Sequence, residues 1–224
     1  MKITWLGQAG LCFDHKGFKV MIDPYLSDSV GAISPDKHRR VPVCEELFSI
    51  KPDVMIFTHN HLDHYDPETV EKFITKDTKI TVLSPYSIFP TVRTIGGANN
   101  YVLFNRHTSW SEGGLRLTAV KAEHSDPTPI GVIIDDGEKK YYVTGDTLYN
   151  EDIFADIPDD IYAVFLPVNG AGNNMNAKDA ADFAYEIGAK AAIPIHYGLF
   201  DDVDPDDFDF DDRIIVNPYE EVEL

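Results

Sequence analysis

Two cysteines in 224 residues, Cys12 and Cys44, are too few and too far apart to build a disulfide framework. Positive charge is scarce as well. Nineteen Lys and Arg stand against 38 Asp and Glu, a net charge of −19 at pH 7, which repels the phosphates of a nucleic-acid polymer. The compact basic stretch Lys37-His38-Arg39-Arg40 stands alone. No apolar run approaches the roughly 20 residues that a membrane-spanning helix needs. The N-terminal Met1-Lys2-Ile3-Thr4-Trp5 enters a strand-like pattern at once, without the layout of a signal peptide. A cytoplasmic protein is therefore expected, with neither membrane nor nucleic-acid polymer as partner. An apolar fraction of 43% and this length fit one globular domain over residues 1–224. Eight of the twelve residues from Asp201 to Asp212 are Asp. They lack the Gly turn and terminal Glu of an EF-hand loop and read as a solvated loop.

Against that background one segment is dense in chemistry. Thr58-His59-Asn60-His61-Leu62-Asp63-His64 packs three imidazoles and a carboxylate into seven residues. Imidazole nitrogens and carboxylate oxygens are the ligands that zinc, manganese and ferrous iron accept. In an extended or turn segment His59 and His61 point to one side, with Asp63 and His64 just beyond. One pair can grip one ion and the other pair a second. Two adjacent ions activate water and draw charge off the group under attack, so the cluster points to hydrolysis.

The surrounding pattern places the cluster. Lys2–Leu6, Gly10–Asp14 and Phe18–Ile22 read as short strands between Gly-containing turns. Val54-Met55-Ile56-Phe57 reads as a strand buried on both faces. Asp66-Pro67 opens a helix, with Asp66 as N-cap and Pro67 in the first turn. The cluster thus occupies a strand-to-helix loop at the carboxyl end of a strand, where open α/β sheets carry their sites. Three later strands end the same way. Leu115–Lys121 leads to His124, Tyr141–Thr144 to Asp146, and Ala191–Ile195 to His196. Four strand ends together deliver seven ligand-type side chains.

These residues resemble the metallo-β-lactamase superfamily, whose signature is the Thr-His-x-His-x-Asp-His segment found at Thr58–His64. His124, Asp146 and His196 follow in the superfamily's order. The branch containing L-ascorbate-6-phosphate lactonase is similar in further stretches: Trp5-Leu6-Gly7-Gln8-Ala9-Gly10, Ile22-Asp23-Pro24-Tyr25-Leu26-Ser27, Leu166-Pro167-Val168-Asn169-Gly170 and Pro194-Ile195-His196-Tyr197. The resemblance implies an α/β (α+β) chain in a four-layer αββα sandwich, with two divalent metal ions, zinc or manganese or else iron, at one edge of the sheets. His59, His61 and His124 would hold the first ion. Asp63, His64 and His196 would hold the second, with Asp146 bridging and Asp23 fixing a ligand imidazole from behind. Catalysis would rest on Asp63, Asp146 and His196, with His196 or Tyr197 serving the leaving oxygen. The substrate implied is a small anionic lactone or ester, and a homo-oligomer is the assembly of relatives. Two departures bear on the substrate: the lactonase is a longer chain, and Asn217-Pro218-Tyr219-Glu220 replaces a Pro-Gly-Glu-like ending.

Two rival functions share the scaffold, a dimetal phosphodiesterase and a non-hydrolytic iron-binding protein. For an anionic group, the candidates are Arg39 and Arg40 and the Gly170–Asn176 loop, which leads into a helix over Ala177–Ile187 capped by Asn176. An ordinary capped loop and a solvated basic patch are the plainer readings. Ala180, Phe183, Ala184 and Ile187 are spaced as a buried helix face. His107, near Trp110, reads as a loop histidine, and His15 and His38 lack ligand-like context.

Overall fold

A computed structural model describes residues 1–224. Its strands form two sheets. The first opens with β1 (Lys2–Gly7), β2 (Gly10–His15) and β3 (Phe18–Ile22), paired antiparallel through short turns. To these β4 (Val54–Ile56), β5 (Thr81–Ser84) and β6 (Asn100–Leu103) add in parallel. The second sheet runs antiparallel through β7 (Ser109–Glu112), β8 (Leu115–Lys121), β9 (Ile130–Asp135) and β10 (Lys140–Val143). It continues in parallel through β11 (Ile161–Pro167) and β12 (Ala191–Ile195). The last strand, β13 (Glu221–Glu223), returns to pair with β1. The helices are short: α1 (Ser29–Ile33), α2 (Pro67–Phe73), α3 (Phe89–Val92) and α4 (Ala177–Glu186).

Side-chain alternation along the strands builds the layers. Val20 and Ile22 enter the core between the sheets, while Met21 packs outward in a second cluster with Val70 and Phe73 of α2. In the same way Val54 and Ile56 face inward and Met55 outward, which explains the unbroken apolar run. Across the core, Phe13 lies 5.5 Å from the Phe165 ring and 6.2 Å from Tyr141, edge to face. Truncating so buried a ring to alanine costs about 3–5 kcal/mol. Tyr142, one residue on from Tyr141, faces the opposite way toward Phe183 of α4. The αββα layering expected from sequence is thus present, with thin outer layers. Strand and helix boundaries agree with the expected ones to within a residue or two.

Strand direction decides where the site lies. Because β1 and β3 each oppose β2, they run the same way, and β4 joins them in parallel. By the same parity β8, β10, β11 and β12 share one direction. Their carboxyl ends carry Gln8, Asp23 and the histidine segment from the first sheet, and His124, Asp146, Asn169 and His196 from the second. No helix is long and apolar enough to cross a membrane.

Candidate metal centre

The loop after β4 is held at both ends. At its far end Asp66 caps α2, accepting from the Glu68 and Thr69 amides at 3.2 and 3.1 Å, with Pro67 in the first turn. At its near end the Thr58 amide donates to Asp23 Oδ1 at 2.8 Å. Between sheets, β10 passes into the rim through Gly145 at φ +62°, where a Cβ would sit 2.8 Å from the Ile130 carbonyl oxygen and 3.1 Å from Thr58 Cβ. Glycine is required there to bring Asp146 against the histidine loop. Gln8, Asp23, Asn173 and His196 also adopt positive φ, four of the chain's seven non-glycine residues that do so. Such backbone cost gathers where a fold holds side chains in place for a task.

All seven expected ligands meet. One group comprises His59, His61, His124 and Asp146, another Asp63, His64 and His196, with ligand atoms inside each group within 4.8 Å of one another. Asp146 touches both halves. Its Oδ2 lies 4.0 Å from His59 Nε2, 3.8 Å from His124 Nε2 and 3.3 Å from His196 Nε2, while Oδ1 lies 3.2 Å from His64 Nε2. His61 Nδ1 approaches His124 Nε2 at 3.1 Å, and His64 and His196 bring their Nε2 atoms to 3.3 Å.

Hydrogen bonds behind the rings fix which nitrogens face inward. Asp23 Oδ2 accepts from His64 Nδ1 at 2.8 Å and from the Thr58 hydroxyl. Since that hydroxyl gives its proton to Asp23, Thr58 Oγ1 can only accept from His59 Nδ1, 3.0 Å away. One carboxylate thereby sets two imidazoles, leaving both Nε2 lone pairs free. His124 Nδ1 donates to the Asn173 carbonyl at 3.1 Å, again freeing Nε2. His61 is reversed: its Nε2 lies 3.3 Å from Ser125 Oγ, and Nδ1 faces the cluster. Behind His196, the Asn169 amide lies 3.1 Å from Nδ1. The Gln8 amide nitrogen lies 3.3 Å from the same atom; with a metal at Nε2 the ring proton would sit on Nδ1, and the Asn169 side chain, rotated to present its oxygen, would accept it. The carboxylates are aligned too: Gln8 Nε2 donates to Asp63 Oδ2 at 2.8 Å, and Asn174 Nδ2 to Asp146 Oδ2 at 2.9 Å.

This donor set fits divalent cations. His59 Nε2 and Asp146 Oδ1 are buried without a hydrogen-bond partner, and no Lys or Arg pairs with Asp63 or Asp146. Burial holds His59 well below the usual imidazole range and lowers His124, which keeps them neutral and able to ligate. Burial would lower His64 and His196 too, but neighbouring carboxylates, Asp146 foremost, outweigh it and raise both, His196 to about 10. The cluster therefore demands positive charge, as protons or as metal.

Other expected contributors stand elsewhere. Tyr197 is buried against Trp5, with ring centroids 5.1 Å apart, and its hydroxyl donates to the Val216 carbonyl, so it cannot serve a leaving oxygen. His196 has both ring nitrogens engaged within the cluster. Arg39 donates to the Tyr25 carbonyl at 2.6 Å and to Tyr219 Oη at 2.8 Å, and Arg40 pairs with Asp202. Neither lines the cavity of about 550 Å³ that opens over the cluster. His107 binds Asp156 at 3.0 Å, away from it. The Gly170–Asn176 loop does line the cavity, through Ala171 to Asn174, but Asn176 caps α4 by accepting from the Asp179 amide. Sequence reasoning missed Asp126. Its carboxylate accepts from the Asn60 amide at 2.9 Å and the Thr128 amide at 2.6 Å, tying the His59–His64 loop to the loop carrying His124. The roles of Gln8, Asn169 and Asn174 were also missed, although the first two lie in the stretches quoted for the lactonase branch.

Comparison with known proteins agrees with this geometry. The model of the beta-lactamase superfamily domain matches residues 19–197. A UPF0173 metal-dependent hydrolase of Methanopyrus kandleri is 32% identical, covering 94% of this chain and 90% of that protein. Another from Thermoplasma acidophilum is 30% identical, covering 93% and 89%. Among solved structures, Igni18, a metallo hydrolase from Ignicoccus hospitalis, superposes with TM-score 0.79 at 20% identity, covering 99% of this chain and 97% of that one. An isothiocyanate hydrolase from Delia radicum gut bacteria gives 0.77 at 19%, covering 100% and 99%. At such identities the structures share the fold.

Proposed function

The chain belongs to the β-lactamase superfamily and, within it, to the UPF0173 family of metal-dependent hydrolases, and from that premise we propose that it hydrolyses a small anionic lactone or ester. The observation that carries this reading is the convergence of seven ligand-type side chains, of which His61, Asp63, Asp146 and His196 line one small cavity. His59, His61 and His124 would hold one divalent ion, zinc or manganese, and Asp63, His64 and His196 a second, with Asp146 between them. Such ions, when bound, supply Lewis-acid polarisation and acidify water.

The chain's own groups do the rest. Gln8 occupies Asp63 Oδ2, so Oδ1 is the oxygen left to orient an attacking water and take its proton. Asn174 keeps Asp146 from rotating. Asp23 and Asn169 hold His64 and His196 from behind, and the buried floor excludes bulk water. A cavity of about 550 Å³ suits a metabolite-sized ligand. The net charge of −19 disfavours a polyanionic one.

The test is initial rates on a lactone and ester panel, with L-ascorbate 6-phosphate first, using apo-protein reloaded with manganese or zinc. Turnover should require metal and fall by orders of magnitude in Asp146→Asn while the fold survives. Two bound ions without turnover of any lactone or ester would remove this substrate class. Full activity in an Asp146→Asn protein that has lost metal would remove the site.

A further inference from the structure

Beside the metal-cluster residues, the cavity is lined by a short flap that carries α1. Val30 and Ile33 of α1, Ser34 where the helix breaks, and Lys37 of the 3-10 turn over Pro35–Lys37 all line the cavity. The flap is clasped at its base. Asp28 Oδ2 binds His38 Nδ1 at 2.6 Å, Asp28 Oδ1 accepts from the Arg39 amide at 3.0 Å, and Tyr25 Oη accepts from the Val30 amide at 3.1 Å. A Cβ at Gly31 would collide with both His38 Nδ1 and Asp28 Oδ1, so glycine lets the clasp close. Arg39 roots the same segment through the Tyr25 carbonyl.

The lining of this face is specific. Ile33 is 74% exposed, the most exposed large apolar side chain in the protein. A lone exposed isoleucine needs no explanation, but this one shares the cavity lining with Val30 and Phe200. Lys37 is the one Lys or Arg on the lining, and it makes no ion pair, whereas Arg40 is paired with Asp202 and Arg39 is held by backbone and tyrosine oxygens. The one acidic residue on the lining outside the metal cluster, Asp201, accepts from the Gly198 and Val203 amides through Oδ1.

We propose that the flap face Val30–Ile33–Lys37 selects the substrate, taking a molecule with an apolar body against Val30, Ile33 and Phe200 and an anionic group, carboxylate or phosphate, at Lys37. The inference rests on the hydrolase reading for the reaction but not for the binding. It narrows the substrate class toward amphiphilic anions.

Calorimetry on manganese-loaded protein tests it without turnover. The probes are hexanoate and hexyl phosphate, set against acetate, inorganic phosphate and hexanol, which lack one of the two features. Both hexyl anions should bind at least about tenfold more tightly than acetate, phosphate and hexanol. Lys37→Glu should weaken the hexyl anions by about tenfold and leave hexanol unchanged. Ile33→Asp should erase the advantage of the hexyl chain, and Lys51→Glu, a reversal at an exposed lysine off the lining, should change nothing. The ratio of hexanoate to hexyl phosphate affinity identifies the preferred anion. Equal affinity for hexyl and short anions, or Lys37→Glu binding like the parent with its manganese content intact, overturns the proposal. Loss of turnover with these affinities preserved would count against the hydrolase reading alone.

Discussion

Replacing Asp23 by asparagine removes a charge without removing a shape. Asparagine tolerates the positive φ of +44° that this position adopts. Its oxygen can still accept from the Thr58 amide, but its NH2 then faces the Thr58 hydroxyl and His64 Nδ1. His64 Nδ1 must become an acceptor, which moves its proton to Nε2, the atom that faces Asp146 and His196. Thr58 Oγ1 must accept from the amide and turn its own proton toward His59 Nδ1, which drives the His59 proton to Nε2 as well. A single substitution thus blocks one ligand in each half of the cluster. Loss of one such supporting contact typically costs 10- to 100-fold in metal affinity, or about 1.4–2.7 kcal/mol. With two imidazoles affected, Asp23→Asn should reach the upper end for both ions. Competition against a chromophoric chelator measures this, with far-ultraviolet circular dichroism confirming the fold. Thr58→Val separates the branches, weakening the ion beside His59 and sparing His64, which keeps Asp23. Parental affinity for two ions in Asp23→Asn would show that the tautomer argument is wrong.

Chelation should lower the melting temperature, because Asp63 and Asp146 have no Lys or Arg partner to replace the ions. Readdition of zinc or manganese, at a thousandfold excess over the dissociation constant, should restore about 4 kcal/mol; an unchanged melting curve would count against metal at this cluster. Asp126→Ala strands the Asn60 and Thr128 amides, and urea titration should read a loss of about 1–3 kcal/mol. If metal stoichiometry and stability both stay at the parental level, Asp126 is not the tie between the two ligand loops. Asp156 predicts a pH dependence. The Arg106 guanidinium holds its carboxyl well below the usual range against the opposing effect of burial, helped by His107 and the Lys121 amide. A depressed folded pKa means the stabilisation is complete above the unfolded value of about 3.9 and is lost as pH falls through the folded one. Asp156→Ala should therefore cost about 2 kcal/mol at pH 7, and the gap from the parent should begin to narrow below about pH 4 and close only as the pH passes the depressed folded value; a gap independent of pH would refute the assignment.

What was legible in the sequence, and what was not, follows from range. The clustered ligand-type residues could be picked out because each combines two local signals, a buried strand and a ligand-type residue just past its end. Strand parity then brings those ends to one rim, so chemistry and topology agree without any long-range information. The helix starts were equally local: Asp66-Pro67 and Asn176 cap α2 and α4 as their residue types dictate. Arg39 and Arg40 show the opposite case. Beside Lys37 they read as one basic patch, yet Arg39 is claimed by Tyr25 and Tyr219, 14 and 180 positions away, and Arg40 by Asp202. Lys37, three positions past Ser34 on the flap, is left to face the cavity.

The same distinction separates ligands from the residues that make them work. Gln8, Asn169 and Asn174 are neutral amides whose types announce nothing. Their importance lies in what their donors and acceptors leave available on Asp63, His196 and Asp146, across separations of 55, 27 and 28 residues. A ligand set with those amides replaced by leucines would present the same seven-residue signature. It would also leave His196 free to choose its tautomer and Asp63 and Asp146 free to rotate, and a cluster so loosened loses its defined geometry before it loses its composition. In this protein, the step from a cluster of residues able to bind metal to a defined site would therefore rest on the amides and Asp23 behind the cluster.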